Sequence, residues 1–162
     1  MDQSDLLDRL VALLETHHLN YCVIGGQAVN AYVEPLVSLD LDVVIAADQL
    51  KGTEILLAQE FEVKQFPHSL NISASGSDLR VQIQTDPRYD GFPDRSQVRD
   101  VLGQTLRVAS LEDVLQGNIW VALDPERRGS KRQKDLADIA RIIEAYPNLR
   151  AQLPAEVLKL LV

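Results

Sequence analysis

The hydrophobic positions switch between two periods along the chain. Leu6, Leu7, Leu10, Val11, Leu13 and Leu14 recur at helical spacing, which predicts an opening amphipathic helix from Ser4-Asp5 onward. Ser4 or Asp2 is placed to cap it, acids fill its first turn, and His17-His18 falls at its C-terminal end, where cationic character suits the dipole. Adjacent histidines on a helix diverge by about 100° and make a poor pair for one metal. Tyr21–Ile24 is an apolar run that predicts a first core strand. Gly25-Gly26 breaks it, and Gln27–Tyr32 reads as a helix that Glu34-Pro35 ends. Leu39–Ile45 predicts a second strand, buried through Leu39, Leu41, Val43, Val44 and Ile45. Asp48–Glu60 predicts a helix with Leu50, Ile55, Leu56 and Ala58 on its apolar side. Strand, helix, strand, helix is the order of an α/β core.

Shorter strands follow. Phe61–Phe66 and Leu70–Ala74 read as two of them, separated by Pro67, and Ser75–Asp78 as a turn. Leu79–Gln84 alternates cleanly, with Leu79, Val81 and Ile83 on one face and Arg80, Gln82 and Gln84 on the other. The Pro/Gly-rich loop 86–93 is either a plain connector or a neighbour of whatever lies at that strand's end. Asp94–Asp100 predicts a short helical turn, and Leu102–Ala109 a turn and a short edge strand. Ser110 caps the next helix, which carries Val114, Leu115, Ile119, Trp120 and Val121 until Asp124-Pro125 stops it. Trp120 reads as core packing, with stacking on a base as the alternative. Ser130 is placed to cap a long helix with Leu136, Ile139, Ala140 and Ile143 on its apolar face, ended by Tyr146-Pro147. Lys131 with Asp135, and Lys134 with Asp138, stand one turn apart. Pro154–Val162 predicts a short terminal amphipathic helix.

The second strand also carries the chain's chemistry. Asp40 and Asp42 interrupt a buried apolar run, and residues two apart in a strand share a face. Two converging carboxylates suit a hard cation such as Mg2+. Alone, such a pair is most often a solvated strand end. Gly25-Gly26 changes that reading. A strand, a glycine turn and a helix start bring free N–H groups and close backbone approach to one point, which is how phosphate is held. One part can hold a polyphosphate and the other its metal.

With these residues the sequence resembles the nucleotidyltransferase superfamily of the DNA polymerase β-like fold. Within it the likeness is to minimal nucleotidyltransferases and abortive-infection toxins, whose pattern GG-x-A…S/T-x-D-x-D is matched by Gly25, Gly26, Ala28, Ser38, Asp40 and Asp42. A second phrase of those relatives, R-x-x-K-D-x-x-D, is matched by Lys131, Lys134, Asp135 and Asp138, with Lys at its first position. The resemblance covers roughly residues 20–85 and 110–145. It implies a mixed-sheet nucleotidyltransferase core with flanking helices and a C-terminal helical extension, an α/β (α+β) chain with its core at about 18–109 and its helical part at about 110–162. It implies Mg2+, or alternatively Mn2+, on Asp40 and Asp42 as metal-binding and catalytic residues. Gly25, Gly26, Ser38, Lys131 and Lys134 would bind an NTP, and an acceptor hydroxyl on protein, RNA or a small molecule would receive NMP. A toxin role with a cognate antitoxin or other partner protein, and a homo-oligomer, belong to the same picture.

The sequence departs from the family in three places. Leu36 stands where Arg is common, Asn118 where Lys is frequent, and Gln82 where a third carboxylate completes the metal site and takes the acceptor's proton. Asp86 and Asp78 are substitutes by type, but each lies about 13 Å from Gln82 along an extended strand. Asp138 is a further candidate. A chain that keeps the fold but binds without turnover is the alternative reading.

Composition narrows the setting. The 162 residues fit one domain, 46% of them are hydrophobic but only 5% aromatic, so aliphatic side chains must build the core. Cys22, the sole cysteine, excludes an internal disulfide. Together with an acidic N-terminus and no long apolar run, it predicts a cytoplasmic protein without a membrane partner. The net charge of −8 argues against broad nucleic-acid binding. Six of the 16 Lys and Arg nevertheless cluster between Arg127 and Arg141.

Overall fold

The computed structural model describes residues 3–161, with side chains from Leu6 to Leu161. Asp2 and the side chain of Ser4, the two predicted caps of the first helix, lie outside that description. The elements are α1 (Gln3–Thr16), β1 (Tyr21–Ile24), α2 (Gly25–Tyr32), β2 (Asp40–Ile45), α3 (Leu50–Glu60), β3 (Glu62–Phe66), β4 (Ser69–Ser73) and β5 (Arg80–Gln84). They continue with β6 (Gln97–Val101), β7 (Gln104–Val108), α4 (Leu111–Ala122), α5 (Gly129–Ala145) and α6 (Ala155–Leu158). The fold is mixed α/β, as the sequence predicts.

All the strands join one sheet in the order β3-β4-β5-β2-β1-β7-β6. β1 and β2 run antiparallel at its centre, β2 pairs parallel with β5, and β1 pairs parallel with β7. These central strands are apolar on nearly every residue because helices cover the sheet. Cys22, Val23, Leu41, Val43, Val44 and Val108 are all buried. Cys22 packs in this core, and burial pushes its thiol up to about 12. Helices contribute Leu6, Leu10, Ala28, Val29, Leu115, Ile139 and Ile142 to the same apolar cluster, which extends to Val157 on α6.

Several local expectations are corrected. β7 is an interior strand, because 97–101 forms a strand rather than a helical turn and takes the edge itself. Leu102 and Gly103, at φ 52° and 78°, make the two-residue hairpin turn between them, the geometry whose twist matches the flanking strands. On α3 the buried residues are Thr53 and Leu57, while Ile55 is 62% exposed. Two residues along a helix is about 200° of rotation, so Ile55 faces away from the sheet that Leu57 meets. Leu39 precedes the paired part of β2 and stays partly exposed. α5 begins at Gly129, which puts Ser130 inside the helix rather than at its cap.

Candidate active site

Asp40 and Asp42 lie at the start of β2, where alternation sets both on one face of the sheet. The register places Asp42 opposite Ile24 on β1 and opposite Gln82 on β5, with Asp40 opposite Arg80. Asp40 is the outer of the two, and its Oδ1 accepts from Arg80 Nε at 2.6 Å at an exposed position. Asp42 is set deeper. A Cβ added to Gly25 would stand 2.5 Å from its Oδ2, so the carboxylate lies against backbone that only glycine leaves open. Gly25 is also at φ +68°, in the left-handed region. The two constraints coincide at one residue. β1 must turn into α2 there, and Asp42 fills the space a side chain would take.

Burial raises the Asp42 carboxyl from an ordinary 3.8 to about 6, and the negative charge of Asp40 adds to the rise. Lys134, Arg127 and Lys131 pull in the other direction. No ion pair among the described residues involves Asp42. Its nearest cations therefore attract it across space without neutralising it.

Those cations come from α5 and the turn before it. A Cβ on Gly26 would meet Lys134 Nζ at 3.2 Å and Asp138 Oδ2 at 3.7 Å, so Lys134 lies over the first turn of α2. The predicted Lys–Asp pairs give way to arginine pairs. Arg127 grips Asp135 with both arms of its guanidinium, at 2.8 and 2.9 Å, and Arg141 Nη1 donates to Asp138 Oδ1 at 2.8 Å. Both carboxylates are buried, where a planar fork satisfies more acceptor sites than an ammonium does. The result is a cradle with the two glycines at its floor, two carboxylates on one wall and a lysine over the other. It can hold a polyphosphate and a divalent cation side by side.

No family model matches the sequence, and no curated protein matches it. Solved structures do match. An antigenic nucleotidyltransferase-like protein from Paracoccidioides brasiliensis superposes with a TM-score of 0.54 at 21% identity, over 98% of this chain and 92% of that one. The lincosamide antibiotic adenylyltransferase LnuA, bound to lincomycin, gives 0.54 at 14% identity over 84% and 95%. The chain has the nucleotidyltransferase fold. The structure of ANT(2'')-Ia in complex with adenylyl-2''-tobramycin reaches 0.62 at 13% identity over 91% and 97%. The likeness to abortive-infection toxins rests on the sequence motifs alone.

Within this nucleotidyltransferase fold the predicted residues take definite places. Gly25, Gly26, Asp42, Lys134 and Asp138 come together, with Asp40 beside them and Lys131 within electrostatic reach of Asp42. The Ser38 hydroxyl accepts from Asp40 N at 3.2 Å and so shapes the entry to β2. Gln82 is the strand neighbour of Asp42, on the same face. Asp86 lies beyond the far end of β5, where its carboxylate accepts from Arg88 N at 2.9 Å and from the Arg88 guanidinium at 3.0 Å. Burial favours its neutral form, but the Arg88 contacts prevail and hold its carboxyl below the usual range. Asn118 is buried, and its Nδ2 has no hydrogen-bond partner. Trp120 stacks on Phe92, meets Tyr89 edge-on and carries Arg88 over its ring. It is a packing residue, and loop 86–93 is held through it. A cleft of about 460 Å³, lined by Leu14, His18, Tyr21 and Arg107, sits at the opposite end of β1 from the carboxylates.

Four participants escaped the sequence reading. Arg127 lies outside α5, so helical spacing gives no hint that it pairs with Asp135. Gln27 is buried on α2 and donates to Ser38 O at 3.0 Å. Asn30 exchanges two hydrogen bonds with the backbone of Leu36, at 2.7 and 3.0 Å. Arg141 Nη2 reaches Asn30 Oδ1 at 2.7 Å and Glu34 O at 2.9 Å. The one available signal was the pair of amides three residues apart on an otherwise apolar helix.

Proposed function

We propose that the chain binds a nucleoside triphosphate with a divalent cation and transfers its NMP to an acceptor hydroxyl. The observation that carries this reading is the contact of Gly25 with Asp42 beside Lys134 over Gly26. A glycine turn at a helix start, a half-buried carboxylate and a cation meet there within one cradle. The backbone N–H groups at the start of α2 and the Lys134 and Lys131 ammonium groups would hold the polyphosphate. Asp40 and Asp42 fit Mg2+, or Mn2+ in its place, since Mg2+ is commonly held by one or two carboxylates and the substrate's own phosphates. Asp42 forms no ion pair among the described residues, which supports that fit. Bound there, the ion would neutralise charge on the polyphosphate as the leaving group departs.

In the proposed transfer the acceptor oxygen forms a bond to the α-phosphorus. The bond from that phosphorus to the bridging oxygen breaks, pyrophosphate leaves, and the hydroxyl proton passes to solvent. Positioning and charge compensation would do most of the work, as in phosphoryl transfer generally. The adenylyltransferase among the structural neighbours supports NMP transfer as the reaction class.

One observation favours a second reading. Gln82 sits beside Asp42 and supplies neither charge nor a base. A chain that binds nucleotide without turning it over would keep the cradle and tolerate this amide. The test is binding followed by turnover. Each of the four NTPs is titrated with and without Mg2+, and pyrophosphate release is then measured with hydroxyl acceptors of each class. Mg2+-dependent binding that Asp40→Asn abolishes, together with release, establishes the transferase. Binding with no release for any acceptor establishes the binding module, and no binding at all refutes both.

A further inference from the structure

The segment between α2 and β2 presents apolar side chains to solvent beside the cradle. Leu36 is 58% exposed and Val37 fully exposed. Exposed single hydrophobes are common, but these two adjoin each other and lie a few residues from Asp40. The segment is also pinned from beneath at several points. Arg141 donates to Glu34 O, Asn30 clamps Leu36 N and O, Gln27 donates to Ser38 O, and the Ser38 hydroxyl accepts from Asp40 N. Polar side chains, Gln27 buried among them, therefore hold an apolar pair out in water, in a position that contributes nothing to the core.

We propose that Leu36 and Val37 form the acceptor-binding lip of the site, and that the acceptor is a peptide segment with an aliphatic residue close to the hydroxyl that receives NMP. This rests on the NMP-transfer reading above. Val37 is three residues from Asp40, at most about 11 Å along an extended chain. An extended peptide advances about 3.3 Å per residue. A hydroxyl delivered to the carboxylates thus places the peptide's second or third neighbour against Val37. The charge argues for the same class. The lip adjoins Glu34 in a chain of net charge −8, a setting that disfavours a polyanionic acceptor such as RNA and suits a neutral or basic peptide.

The test uses the full chain, Mg2+, each α-labelled NTP and a positional-scanning set of peptides with one Ser, Thr or Tyr. Flanking positions are varied between Gly and Leu, Ile or Val. The expected result is a preference of roughly tenfold for an aliphatic residue two or three positions from the hydroxyl, the scale of one apolar contact. In Leu36→Ser/Val37→Ser that ratio falls to near one. A wild-type chain with no flank preference overturns the proposal, as does a preference that survives the double substitution. Transfer to RNA or a small hydroxyl compound but not to peptides overturns it too. So does a dimer that the double substitution dissociates while the ratio stays the same, since the lip is then a self-association face. Nucleotide binding by the wild type without transfer to any peptide sinks this proposal alone. Absence of Mg2+-dependent nucleotide binding sinks the underlying reading with it.

Discussion

Asp42→Asn should make the ligand-free protein more stable at neutral pH, although it removes a residue placed at the centre of the site. Asp42 is raised from an ordinary 3.8 to about 6, first by burial and second by Asp40. The direction of the linkage follows from that rise. Below the ordinary value the carboxyl is protonated in both folded and unfolded chains and has no effect on stability. As pH climbs through the window to about 6, the unfolded chain ionises first and native stability falls. Above it both are ionised and the full cost stands. Two pKa units correspond to roughly 3 kcal/mol at 1.36 per unit, and partial contact with solvent reduces this to about 1–3 kcal/mol. Asn keeps the shape and removes the charge. For a chain of this size the gain corresponds to a Tm rise of about 3–9 °C. The assay is thermal unfolding in EDTA at pH 7.5 and at pH 4, followed by the same scans with Mg2+ and NTP. The variant should lead at pH 7.5, the gap should close at pH 4, and ligand should raise only the wild-type Tm. A variant no more stable than wild type at pH 7.5, or a gap that widens toward pH 4, refutes the reasoning.

Four further outcomes follow from the same geometry. Gly25→Ala should lose about 1–3 kcal/mol in urea unfolding along with nucleotide binding, because φ +68° disfavours a side chain and the new Cβ meets Asp42 Oδ2. Gly26→Ala should cost about 1 kcal/mol or less, since the Lys134 ammonium that it meets is the movable end of a long side chain; equal losses at both glycines would contradict this. Arg141→Ala should cost about 2–4 kcal/mol by leaving the buried Asp138 unpaired and releasing Asn30 and Glu34, and a stability within 0.5 kcal/mol of wild type would show the network to be idle. Gln82→Asp puts a third carboxylate beside Asp42. It should lower ligand-free stability by about 1 kcal/mol and increase Mg2+ affinity in a calorimetric titration, and unchanged affinity would place Gln82 outside the metal's reach.

The features legible in the sequence were those carried by short local patterns. β1, β2 and β5 showed themselves through continuous or alternating apolar runs, and Ser110 marked the start of α4, where its side chain accepts from Asp113 N. The joint placement of Gly25-Gly26 and Asp42 was legible because a glycine turn and a carboxylate pair each carry their own geometry. What the sequence hid depends on distant partners. β6 has a weak apolar pattern and is a strand because β7 supplies its hydrogen bonds. The buried face of α3 was misread because Ile55 and Leu57 are equally apolar, and only the position of the sheet selects between them. The arginine partners of Asp135 and Asp138 were obscured by lysines at ideal helical spacing.

That exchange of lysine for arginine pairs bears on how a chain of net charge −8 would hold the triphosphate proposed above. The basic cluster from Arg127 to Arg141 is not a uniform positive surface. Arg127 is committed to Asp135, Arg141 to Asp138, and Arg132 to the carbonyls of Ala122 and Asp124 at the end of α4. These forks fix the position of α5 by satisfying buried acceptors and helix-end carbonyls, tasks for which a planar guanidinium is suited. Lys134 is exposed and lies over Gly26, and Lys131 acts on Asp42 through space. An ammonium on a flexible stem can follow a phosphate as it moves and loses little when the site is empty. The arginines hold the scaffold, and the lysines hold charge where a ligand would need it. Two ammonium groups therefore act at the mouth of α2, so binding of a triphosphate there should weaken with salt.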